Sequence, residues 1–153
     1  MTDKDPIFYM KKALEQAHIA FEHAEVPVGA IMVYQGEIIA SAYNRREEKK
    51  DPLAHAEILV IAKAAEKLST RRLTGCTLYV TLEPCPMCAG ALLMAQIDQC
   101  VFGAYDSRQG CCGSIYNVAE DPAFYHHTVL IGGVLEKESQ ELLQRFFAQR
   151  REE

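Results

Sequence analysis

Tryptophan is absent from this chain of 153 residues, and so are an excess of basic side chains and any apolar run of the roughly 18 residues that a membrane span needs. The N-terminal MTDKDPIFYMKK has no apolar stretch behind a basic flank, so it does not read as an export signal. A formal net charge of −5 argues against a surface that coats nucleic acid indiscriminately, because such surfaces are basic. No internal repeat, low-complexity tract or linker-like stretch divides the sequence. The expectation is a single cytoplasmic domain over residues 1–153, long enough to bury a core without disulfide staples.

Six cysteines are present, at 76, 85, 88, 100, 111 and 112, and without an export signal they read as thiols or metal ligands rather than disulfides. Charge is unevenly placed. Residues 45–50, RREEKK, hold four basic and two acidic side chains, so the remainder carries −7 against the total of −5.

Ile7, Met10, Leu14, Ala17 and Phe21 recur every three or four residues, which predicts an amphipathic helix from Pro6 to about Glu25, capped by Asp3 or Asp5. AIMVY and EIIASAY flank Gln35-Gly36, predicting a hairpin of strands near 29–34 and 37–43. The polar NRREEKKDP turns at Asp51-Pro52 into a helix from about Ala54 to Leu68. TLYVT at 77–81 is a short strand, Glu83-Pro84-Cys85-Pro86 breaks the pattern, and MCAGALLMAQ resumes as a helix. Further strands are expected at 99–103 and 128–132, and LEKESQELLQRFFAQR as a closing helix. Strands alternating with helices of this length predict a three-layer α/β domain with a mixed sheet.

Taken alone, Cys85-Pro-Met-Cys88 suits redox exchange, structural zinc or catalytic zinc. A closed structural site needs a second C-x-x-C or a histidine pair, which the adjacent Cys111-Cys112 do not supply. A lone His55 at a helix start is more often a cap or a satisfied core group. The combination changes the odds: H-x-E opens one helix and P-C-x-x-C another, the pattern of zinc deaminases. His55, Cys85 and Cys88 give a catalytic zinc three ligands and leave a fourth position for water. In a first turn Cys85 and Cys88 share one face, where the helix dipole favours thiolates. Glu57 is then the general acid and base. His55 and Glu57 point apart on a mid-helix, but in a first turn both lean toward a metal beyond the helix end.

The agreement extends along nearly the whole chain, through EVPVGAI at 25–31, Asn44-Arg45, DPLAHAEI at 51–58, TLYVTLEPCPMCAGAL at 77–92, VFGAYD at 101–106 and the final FF with basic residues. These blocks resemble the bacterial tRNA-specific adenosine deaminases of the cytidine-deaminase-like superfamily. The resemblance implies a three-layer α/β/α fold around a mixed sheet of about five strands, one Zn²⁺ per subunit, a homodimer, and conversion of the wobble adenosine of a tRNA anticodon loop to inosine. It also implies that Asn44 hydrogen-bonds the flipped base and that Val26 and Pro27 form pocket wall. The backbone around Ala56 and Cys85 lines the base, and Asp106 lies near the neighbouring ribose. The plainer readings are turn residues for Asn44 and Asp106, and strand entry for Val26-Pro27. Tyr125-His126 stands where the family usually has Asn-His, either stacking a base or lying solvated. Cys111-Cys112 replaces common small residues and reads as a partly buried loop pair.

A deaminase of free guanine or cytosine shares every metal ligand and Glu57. An inactive zinc-stabilised binding module is a second alternative, against which Glu57 argues; a redox protein is a distant third. For an RNA substrate, Arg45, Arg46, Lys49, Lys50, Arg150 and Arg151 are candidate phosphate contacts, although each alone reads as solvated surface charge.

Overall fold

The computed structural model describes residues 4–151. The first helix, α1, spans Pro6–Glu22, with Pro6 in its first turn and the Asp5 side chain accepting the Phe8 amide at 3.0 Å. Asp5 is therefore the cap, and Asp3 lies outside the described residues. The helix stops three residues before the expected Glu25 because Ala24 adopts φ 61° and Glu25 turns inward to near-complete burial.

Strands β1 (Gly29–Tyr34) and β2 (Glu37–Tyr43) form the expected hairpin, with Gln35 and Gly36 both at positive φ. A one-turn helix that periodicity did not reveal, α2 (Arg46–Lys49), follows. Then come α3 (Ala56–Leu68), β3 (Cys76–Leu82), α4 (Pro86–Met94), β4 (Gln99–Ala104), β5 (Val129–Ile131) and α5 (Glu136–Arg151). The sheet order is β2-β1-β3-β4-β5, with β1 antiparallel to both neighbours and β3, β4 and β5 parallel. This is the α/β fold with a five-stranded mixed sheet that the sequence led us to expect.

Alternation along the strands divides the interior in two. Ala30 and Met32 of β1, Leu78 and Val80 of β3, and Cys100 and Phe102 of β4 face Val60 and Ala64 of α3 and Ala89 and Leu92 of α4. The intervening Ile31, Val33, Tyr79 and Val101 face Tyr9, Met10 and Ala13 of α1. α5 lies on that second side, where Phe146 meets Phe21 edge-on at 5.9 Å. The inner strands are buried on both faces, which is why they read as nearly unbroken apolar runs.

Gly29 lets α1 rest directly on β1. A Cβ at this position would overlap the backbone of Ala13 and Ala17 and come within 2.7 Å of the Gln16 Cβ. Gly29→Ala is therefore expected to destabilise the fold by about 2 kcal/mol or more, read as a lower urea midpoint. A midpoint equal to that of the parent would show that α1 can shift at little cost.

Candidate active site

One end of the sheet gathers the residues of interest. Because β1 runs antiparallel to β3, the entry to β1 and the exit of β2 lie beside the C-terminal ends of β3 and β4. Val26, Asn44, Glu83 and Asp106 are thus neighbours at the edge where open α/β sheets commonly hold ligands.

Two helix starts converge there. His55 is the extended cap of α3, at φ −70° and ψ 152°, and Cys85 is the extended cap of α4, with Cys88 in that helix's first turn. The helix expected from Ala54 begins at Ala56, so His55 lies outside it and the angular conflict with Glu57 does not arise. The Cys85 and Cys88 sulfurs lie 3.7 and 3.6 Å from His55 Nδ1. All three ligating atoms lie within 4.8 Å of one another, a group able to hold a metal ion. Tetrahedral zinc with Zn–S of about 2.3 Å and Zn–N of about 2.1 Å separates such atoms by roughly 3.6 Å, so the donor set and its spacing fit that ion.

Proton placement follows from crowding. The hydrogen bond from Cys88 outweighs burial and, with one from His55, holds the Cys85 thiol down to about 4, while Cys88 is pushed far above the usual thiol range. Contact with Cys85 raises His55 against the opposing effect of burial. Metal uptake displaces these protons, so affinity rises with pH. Glu57, in the first turn of α3 and 4% exposed, has its carboxyl pushed up to about 7 by burial, against the opposing effects of its own backbone amide and of His55. A carboxyl near neutrality is suited to both taking and giving a proton.

A cleft of about 880 Å³ opens onto this group. Val26, Asn44, Ala56, Glu57 and Asp106 line it; Pro27 is buried outside the wall and Val28 stands there instead. Asn44 donates to the Val26 carbonyl at 3.1 Å and accepts the Arg46 amide at 3.2 Å, so it also fastens the loop. Among the basic candidates, Arg46, Arg150 and Arg151 line the cleft. Arg45 instead pairs with Glu48 and lies 5.8 Å over the Tyr43 ring, while exposed Lys49 and Lys50 are not part of the lining.

Sequence reasoning passed over Glu25, Glu83 and Arg108. Glu25 accepts the Glu47 and Glu48 amides at 3.1 and 2.7 Å, capping α2. Burial opposes the charge of Glu83, but hydrogen bonds from the Ser114 hydroxyl and the Asp106, Ser114 and Cys112 amides win and hold its carboxyl below the ordinary range. Its signal was a lone acid between an apolar strand and the cysteine turn. Arg108 lines the cleft. Cys111 and Cys112 are buried, and the metal-competent group among the described residues contains neither. Tyr125 is fully exposed, whereas His126 Nε2 lies 2.7 Å from the Ile97 carbonyl.

Cys88→Ala is expected to lose bound metal and thermal stability together, since it removes a buried sulfur from a three-donor set. Metal analysis at full occupancy would overturn the ligand assignment.

Comparison with known proteins places this fold among deaminases. A family model of MafB19-like deaminases matches residues 4–151. The tRNA-specific adenosine deaminase of Bacillus subtilis is 49% identical over 94% of this chain and 89% of its own length. That of Aquifex aeolicus is 48% identical over 92% of each. A solved structure from work on A-to-I editing by tRNA:A34 deaminases superposes with TM-score 0.85 at 43% identity, covering 88% of this chain and 98% of that one.

Proposed function

The chain belongs to the MafB19-like deaminases and to the tRNA-specific adenosine deaminases, and from that premise we propose that it converts the wobble adenosine of a tRNA anticodon loop to inosine. One observation carries the chemistry: the buried Glu57 carboxyl stands beside a His-Cys-Cys group on the wall of an open cleft.

We assign one Zn²⁺ to His55, Cys85 and Cys88. Bound there, zinc supplies Lewis acidity that lowers the pKa of water from about 16 toward neutrality. Glu57 accepts the proton of the attacking water and passes it to the ring nitrogen N1. It then takes the proton of the new C6 hydroxyl and delivers it to the departing amine as the C6–N bond breaks, so adenosine and water give inosine and ammonia. Asn44 orients the extruded base, with its oxygen and nitrogen already fixed by the loop it ties. Val26 and the backbone at Ala56 form the wall, and Asp106 faces the flanking ribose. Arginines at 46, 108, 150 and 151 meet the phosphates. We further propose that the protein acts as a homodimer in the cytoplasm. Among the described residues, no helix is long and apolar enough to cross a membrane.

Incubation with an anticodon stem-loop RNA, and separately with free adenosine, guanine and cytosine, tests the assignment. Inosine is expected in the RNA alone; ammonia released from guanine or cytosine without RNA editing would favour a free-base deaminase. Glu57→Gln is expected to retain zinc and fold while losing at least about a thousandfold in kcat, because an amide cannot shuttle the proton. Substantial residual turnover would remove Glu57 from the mechanism.

Salt dependence separates RNA from free-base chemistry. If the arginines contact phosphates, replacing Arg150 and Arg151, or Arg45 and Arg46, with alanine lowers stem-loop affinity and removes roughly 0.7 from the log-log salt slope per lost contact. The Arg150/Arg151 pair is expected to have the larger effect, since Arg45 is turned toward Glu48. Unchanged affinity and slope in both double variants would place the RNA elsewhere.

A further inference from the structure

We infer that Glu83 is a positioning residue that sets affinity for the RNA by suspending segment 106–114 from the metal-ligand turn, an inference that rests on the tRNA reading above. Glu83 directly follows β3 and is 2% exposed. Oε1 accepts the Asp106 amide at 2.9 Å, and Oε2 accepts the Cys112 and Ser114 amides at 3.0 and 2.9 Å. The Ser114 hydroxyl donates to Oε1 as well. One residue further on, the Pro84 carbonyl accepts the Cys111 amide at 2.9 Å, and the next residue is the metal-ligand candidate Cys85. The segment thus hangs from two consecutive residues that lead into the ligand itself.

Gly110 closes the arrangement. It packs so tightly on Glu83 that a Cβ would overlap the carboxylate. The wall of the cleft is built on this segment: Asp106 Oδ1 accepts the Arg108 and Gln109 amides at 3.0 and 3.3 Å, and all three residues line the cleft. Glu57, His55 and Cys88 lie on other elements. Loosening the segment therefore disturbs the surface that reads RNA more than the atoms that do chemistry, which predicts a change in KM rather than kcat.

Three variants test this. Glu83→Gln keeps the shape but turns an NH₂ toward amide donors, leaving buried N–H groups unpaired. Gly110→Ala leaves Glu83 chemically intact and displaces it, and Ser114→Ala removes one donor. Glu83→Gln and Gly110→Ala are expected to raise the stem-loop KM on the order of tenfold, with kcat changed less than about threefold. Zinc content should hold, and hydrogen exchange at the amides of 106–114 should accelerate. Ser114→Ala should move KM the same way by less. Should Glu83→Gln fail to fold, the Gly110→Ala and Ser114→Ala pair decides. Loss of zinc, or a kcat loss as large as the KM rise, would overturn the inference by assigning Glu83 to the metal site. Unchanged KM in all three variants against an active parent would overturn it alone, whereas a parent inactive on the stem-loop would overturn the substrate reading.

Discussion

Three donor atoms from two helices must meet within a few ångströms, and much of the architecture answers that demand. His55 and Cys85 each lie just before a helix, in extended backbone, so each side chain leans past the end of the helix it introduces. Their meeting requires α3 and α4 to share one side of the sheet with their N-termini at the same edge. The parallel β3–α4–β4 crossover places one of these starts, and the long antiparallel excursion through β1 and β2 returns the chain to place the other. Gly29, by letting α1 seat flush on β1, fixes the level from which that excursion departs.

Around this centre three glutamates among the described residues, Glu25, Glu57 and Glu83, are buried, and they are treated differently. Glu25 and Glu83 receive backbone amides from loops that would otherwise have no fixed path, and their charge is matched by donors. Glu57 is buried with its own helix amide, His55 and Cys88 favouring the anion, yet burial outweighs them and the carboxyl rises toward neutrality. The same side chain serves as a fastener where several amides converge and, in the mechanism we propose, as a proton carrier where burial dominates.

The sequence disclosed what periodicity and spacing encode. Helices α1, α3, α4 and α5 and the β1–β2 hairpin were legible because apolar residues recur at helical or alternating intervals and Gln35-Gly36 marks the turn. The metal group was legible because two short motifs each precede a helix. α2 was not, since four residues carry no period; two of its amides are capped by Glu25, 22 and 23 residues earlier. Glu83 was hidden for a related reason: a buried acid looks like any other acid until its donors are found at positions 106, 112 and 114. The family resemblance implied Pro27 as pocket wall, but Pro27 is buried outside the cleft lining, which Val26 and Val28 supply. Of the basic cluster, only the geometry told Arg46 from Arg45.

Glu83 grips its loop mainly through main-chain amides, which every residue but proline presents. The path of residues 106–114 consequently depends on few of the side chains it displays: the Asp106 carboxylate, the absence of one at Gly110 and the Ser114 hydroxyl. Arg108 and Gln109 can therefore drift through mutation while the loop holds its course, so the cleft wall can diversify on a frame that does not. A deaminase scaffold organised in this way is free to acquire new specificities without first surrendering its catalytic geometry.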